Sequence, residues 1–163
     1  RLVGSEMCIR DSFMHGQTWG FRAFRPGDEV AFVPRGTLVP YASGKVTAAT
    51  LAEDGRTMTL DFAEPLPERV AFGSDVLENV TWTPTVRISN CLVELTPTRG
   101  FLLTTRRPVV VERTRFRQTR MSAILVADDA GSWFESGPVT DLTVRDCLFD
   151  RCAAPVILSL IHI

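Results

Sequence analysis

The sequence predicts an all-β chain whose second half is a parallel β-helix, and three observations predict it. Helical periodicity is absent almost throughout, short β-branched runs are punctuated by Pro and Gly, and the second half repeats itself. The repeat carries most of the weight. In three successive segments Ile88, Val111 or Val144 stands five residues before Val93, Phe116 or Phe149, which stands eight before Phe101, Ile124 or Ile157. A solenoid needs such spacing, because each coil buries one inward ladder and its neighbours supply the hydrogen bonds that a lone coil lacks. An antiparallel sandwich with evenly spaced strands is the competing arrangement; matched spacing at both anchors favours the β-helix.

Taken in order, the first element is set aside from fold reasoning. Met7-Cys8-Ile9-Arg10-Asp11-Ser12 back-translates as ATG TGT ATA AGA GAC AG plus one base, and Leu158-Ser159-Leu160-Ile161-His162-Ile163 as CTG TCT CTT ATA CAC ATC. Apart from the last base these strings are reverse complements, the relation expected of a transposase recognition end ligated to short-read libraries. Residues 1–12 and 158–163 are therefore read as translated adapter, although the apolar C-terminal run would also suit a strand. The net charge stays at −1 without them, since Arg1 and Arg10 cancel Glu6 and Asp11. That balance points to neither nucleic acid nor an anionic membrane as a partner. No apolar run approaches the roughly 18 residues of a membrane helix. With both natural ends replaced, the chain reads as an internal fragment, and its compartment stays open.

Residues 13–76 read as a small antiparallel β subdomain without chemistry of its own. Val30-Ala31-Phe32-Val33 is one strand. Lys45–Leu51 and Thr57–Phe62 form a hairpin about Glu53-Asp54-Gly55, with Met58, Leu60 and Phe62 alternating against polar neighbours.

Residues 77–157 hold the coils. Cys91, Cys147 and Cys152 have neither the paired spacing of a zinc site nor an even count, so they are expected as buried thiols, with no metal. Cys91 and Cys147 share a repeat position two coils apart, too far for a disulfide at about 4.8 Å per coil. The arginines of this half, Arg99 to Arg120, are expected at outward, solvated positions.

Between the second and third coils the register slips by an insertion, Asp128 to Gly137. A solenoid pushes insertions out as loops on one face, commonly the binding face. This one gathers Asp128, Asp129 and Glu135 with Trp133. Carboxylate pairs handle glycosidic bonds because one protonates the leaving oxygen while the other activates water or attacks carbon. An indole supplies an apolar platform for a sugar face. Successive strand side chains face opposite ways, so one aspartate is expected at the site and the other in a structural role; capping of a turn by both is the alternative. Arg106 and Arg107, one coil earlier, are candidates to bind a substrate hydroxyl, and Glu135 is a candidate substrate contact or a plain surface acid.

The segment Ala123-Ile124-Leu125 through Asp128-Asp129, Trp133-Phe134-Glu135-Ser136-Gly137 and Val144-Arg145-Asp146 resembles glycoside hydrolase family 110, and Arg25-Pro26-Gly27-Asp28-Glu29-Val30 resembles the opening of that family's inserted barrel. The resemblance implies a right-handed parallel β-helix, here a partial solenoid, with a small antiparallel β-barrel-like subdomain. It implies an inverting exo-glycoside hydrolase that removes terminal α-1,3-linked galactose from an oligosaccharide without metal or organic cofactor, in a periplasmic or secreted setting. Asp128 and Asp129 would then fall in the catalytic acid cluster. One coil earlier the position matching Asp128 is Thr105, not an acid, so a partner carboxylate is expected on other coils, and the acid and base roles stay open. The fragment alone is expected to be inactive. A calcium-dependent polysaccharide lyase and a noncatalytic carbohydrate-binding or structural β-helix are the competing functions, since fold alone does not choose among them.

Overall fold

The computed structural model describes residues 9–11, 23–53, 57–71, 73–128 and 138–160, and among these every regular element is a β-strand. The described residues through Trp82 form one compact unit and those from Thr83 onward a second.

The first unit is a five-stranded antiparallel sheet. Its strands are β1 (Ile9–Asp11), β2 (Glu29–Pro34), β3 (Ala42–Leu51), β4 (Met58–Phe62) and β5 (Asp75–Asn79), in the order β1-β4-β3-β2-β5. Pro26 and Gly27 make the turn into β2: Gly27 has φ 95°, and Asp28 N donates to Arg25 O at 3.1 Å. Pro presets the first central position of such a turn and only Gly takes the second without strain. The Asp28 side chain locks it, accepting from Arg25 N at 2.9 Å and from Asn79 Nδ2 at 2.7 Å.

β2 is buried on both faces. Val30 and Phe32 join Val46, Met58, Leu60 and Leu66, while Ala31 and Val33 join Leu38 on the other side. The expected hairpin is β3 with β4, and Met58 and Leu60 are buried on alternate positions as predicted. β5 was not foreseen as a strand. It pairs with β2 from Val30↔Asn79 to Pro34↔Asp75, so this sheet runs past residue 76.

The second unit is built from three sets of strands. β6 (Val86–Ser89), β7 (Leu92–Glu94) and β8 (Phe101–Leu103) are followed by β9 (Val109–Glu112), β10 (Arg115–Arg117) and β11 (Ile124–Ala127). Then come β12 (Leu142–Arg145), β13 (Leu148–Asp150) and β14 (Ile157–Leu160). Equivalent strands pair in parallel, giving three three-stranded sheets: β6-β9-β12, β7-β10-β13 and β8-β11-β14. The apolar anchors read from the sequence are in register in all three. Ile88, Val111 and Val144 are partners, as are Val93, Phe116 and Phe149, and Phe101, Ile124 and Ile157.

Among the described residues the middle set has a paired neighbour on both sides and the other two on one side, which decides burial. Val109, Val111, Phe116 and Ile124 are fully buried, whereas their partners Val86, Ile88, Phe149 and Ile157 retain exposure. Burying each such side chain contributes about 1.5–3 kcal/mol. Phe116 stacks on Phe149 at 5.1 Å between centroids and meets Phe101 edge-on at 5.3 Å.

The corners repeat as closely as the strands. Asn90, Arg113 and Asp146 follow β6, β9 and β12 with φ of 56°, 47° and 54°, and Leu95, Gln118 and Arg151 follow β7, β10 and β13 with φ of 56°, 54° and 52°. A left-handed residue turns the chain sharply between strands at a cost that most L-residues bear poorly.

The cysteines differ from expectation. Cys91, Cys147 and Cys152 are free thiols, but Cys91 is exposed and the other two are half-buried. Cys91 and Cys147 belong to the first and last described segments, each paired on one side among the described residues, and Thr114 holds the matching place between them; its backbone bonds Leu148 N and its hydroxyl accepts from Cys91 N. Two of the arginines expected at outward positions also form ion pairs: Arg117 with Glu94, and Arg113 with Glu112, over which Arg87 and Arg145 close as well.

At the two termini, β1 and β14 run into the segments read above as adapter: Ile9–Asp11 pairs with β4, and Leu158–Leu160 with Leu125–Ala127. Each is a backbone pairing onto the edge of a sheet, which asks little of side-chain identity.

Candidate active site

Asp128 follows β11 directly, two residues beyond Val126, whose partner in β8 is Leu103. Continuing that register sets Asp128 beside Thr105 at the same end of one parallel sheet. The side chain of Asp128 is half-buried, but its Oδ1 is shut off from solvent and has no hydrogen-bond partner among the described residues. Native folds rarely leave a buried carboxylate oxygen so. A group in this state is costly to the fold.

Thr105 is buried and fully engaged. Its hydroxyl donates to Pro84 O at 2.8 Å and accepts from Arg107 N at 3.2 Å. An acid here would have to give up one of those bonds, so the position holds the connection between β8 and β9. Arg106 and Arg107 follow it; Arg106 is half-buried and already engaged in an interaction, while the Arg107 side chain is exposed. Asp128, Arg106 and Arg107 are thus carried on the connections that leave the same ends of adjacent parallel strands.

The other predicted members, Asp129, Trp133 and Glu135, lie outside the described residues. Among the described residues no group of three or more His, Cys, Asp or Glu side chains is gathered as for a metal ion. Thr105 entered the sequence reading only as the place where an acid was missing. Its register with Asp128 was visible there, but its bonding to Pro84, 21 residues away, was not.

Residues 8–77 match the family described as GLAA-B beta-barrel domain II. Over 150 residues, 92% of this chain, the sequence is 49% identical to α-1,3-galactosidase A of Akkermansia muciniphila and covers 25% of that protein. Over 154 residues, 94% of this chain, it is 47% identical to α-1,3-galactosidase A of Bacteroides thetaiotaomicron and covers 27% of it. A second Akkermansia muciniphila protein, α-1,3-galactosidase B, is 36% identical over 141 residues, 86% of this chain and 18% of that protein. The chain therefore spans about a quarter of the length of these two α-1,3-galactosidases A.

Proposed function

We propose, from this similarity, that the chain belongs with the α-1,3-galactosidases of glycoside hydrolase family 110 and that the full-length protein containing it hydrolyses terminal α-1,3-linked galactose from oligosaccharides with inversion at the anomeric carbon. The observation that carries the site is the buried Oδ1 of Asp128, which has no hydrogen-bond partner among the described residues. The role proposed for this carboxyl is proton exchange with the glycosidic oxygen or the attacking water, the work of a general acid or base. Inversion needs a second carboxyl about 6.5–9.5 Å away, with room between for the water. Asp129 and carboxylates on further segments are the candidates for that partner. Trp133 is read as the platform for the sugar face, with Glu135, Arg106 and Arg107 as contacts to its hydroxyls.

The fold proposed to bear this site is a right-handed parallel β-helix, supported by the three parallel sheets and the corner residues that recur in each segment. Residues 13–76 and 77–157 are read as its barrel-like and solenoid parts; the pairing of β5 with β2 favours a boundary a few residues after Asn79.

Time-resolved proton NMR of the full-length protein with a terminal α-1,3-galactosyl disaccharide tests the proposal. Appearance of β-galactose before mutarotation supports inverting hydrolysis. First appearance of α-galactose removes inversion, an unsaturated product moves the assignment to a lyase, and no release of sugar leaves a binding or structural role.

A further inference from the structure

The connection between β8 and β9 is short, residues 104–108, and it bears Arg106 and Arg107. The carbonyl oxygen of Arg106 and the amide nitrogen of Arg107 belong to one peptide group. That group is held at both ends by threonine hydroxyls: Arg107 N donates to Thr105 Oγ1 at 3.2 Å, and Thr140 Oγ1 donates to Arg106 O at 3.3 Å. The two threonines come from different segments. Thr105 is itself anchored on the preceding segment through Pro84 O, whereas Thr140 precedes β12 in the following one.

A peptide group is planar, so fixing its carbonyl and its amide fixes its rotation about the chain, and with it the directions in which the two flanking side chains leave. Neither bond is needed to satisfy a helix or a sheet ladder, and the Thr140 hydroxyl is exposed, where water would otherwise serve the Arg106 carbonyl. We infer that Thr105 and Thr140 are positioning residues that hold the Arg106–Arg107 peptide so that the exposed Arg107 addresses the hydroxyls of a sugar bound beside Asp128. The inference rests on reading Asp128 and its surroundings as a galactoside-cleaving site.

The experiment is steady-state kinetics of the full-length protein on a terminal α-1,3-galactosyl disaccharide, comparing the unaltered enzyme with T140V, T105S, R107A and the double variant T140V/R107A. T140V removes one exposed hydroxyl at nearly constant volume and leaves the fold's buried groups untouched. The expected result is a KM about three- to tenfold higher in T140V with kcat within about twofold, the size of one hydrogen bond to bound substrate. T105S, which keeps the hydroxyl, stays close to the unaltered enzyme. In T140V/R107A the KM rises little beyond that of R107A alone, because the threonine acts through the arginine. An unchanged KM in T140V, or effects of T140V and R107A that add in full, overturns the inference while the site reading stands. Absence of any turnover by the unaltered enzyme overturns the site reading and the inference together.

Discussion

Arg145 donates from both Nε and Nη2 to one oxygen of Glu112, at 2.8 and 2.5 Å, across the paired strands β12 and β9. Arg87, from β6, and Arg113 donate to the other oxygen at 2.5 and 2.9 Å. Three successive segments therefore meet on one carboxylate. It has no accessible surface of its own, yet what covers it is guanidinium groups whose side chains are 61%, 49% and 54% exposed, so water stands just outside the cluster.

Hydrogen bonds from Arg145 and Arg87 and the charge of Arg113 hold the Glu112 carboxyl down to about 2 from its ordinary 4.5, against the opposing effect of burial. A carboxyl depressed in the folded state adds stability that is fully present above 4.5 and is lost as pH falls through 2. Thermal midpoints measured from neutral pH down to pH 2 should fall across that window. Glu112→Gln should melt several degrees lower at neutral pH and lose less than the unaltered protein on acidification. Parallel pH profiles for the two proteins would remove Glu112 as the source.

Gly100 is required by crowding. A Cβ built there meets Ala123 O at 2.5 Å and the Phe116 ring at 3.1 Å, and neither the backbone nor the stacked ring has room to give. Gly100→Ala should cost about 1–3 kcal/mol in denaturant unfolding, as overpacking does. Gly36→Ala, where nothing lies within 4 Å, should change stability by less than about 0.5 kcal/mol. Equal effects at the two sites would show that the contact with Ala123 relaxes freely.

Leu95 holds a left-handed corner with φ 56° and is 66% exposed, so it bears backbone strain with little packing in return. Asn adopts that conformation more readily. Leu95→Asn should stabilise by about 0.5–1 kcal/mol. Destabilisation would mean that the leucine packs against something beyond the described residues.

Asp128→Asn separates a catalytic carboxyl from a turn-capping one. Its kcat should drop about 10²- to 10⁴-fold, while thermal stability stays level or rises, since a neutral amide is less costly to bury unpartnered than a carboxylate. A variant that unfolds more easily and keeps its turnover would assign Asp128 to the turn.

What could be read from the sequence follows from the range over which each feature acts. Ile88, Val111 and Val144 are legible because an inward position tolerates only apolar side chains and recurs at a fixed spacing. The insertion that begins at Asp128 is legible because it interrupts that spacing. Glu112 is not, because Arg87 and Arg145 lie 25 and 33 residues away and among many arginines nothing marks those two. Of the six left-handed corners, Asn90 and Asp146 carry residues suited to the role, but Leu95, Arg113, Gln118 and Arg151 conceal theirs. The exposure of Cys91 is not legible, because burial depends on how many paired segments flank a position, which residue type does not reveal. β5 escaped notice because its partner β2 lies more than 40 residues earlier.

The two connections at the Asp128 end of the sheet differ in length, residues 104–108 against 128–141, while the strands on either side of both stay in register. Length can thus vary at that one junction without any change of frame in the stack. A single residue added inside β12 would instead turn Val144 outward and its polar neighbours inward. The number of residues between β11 and β12 is thus set independently of the frame of the strands they join.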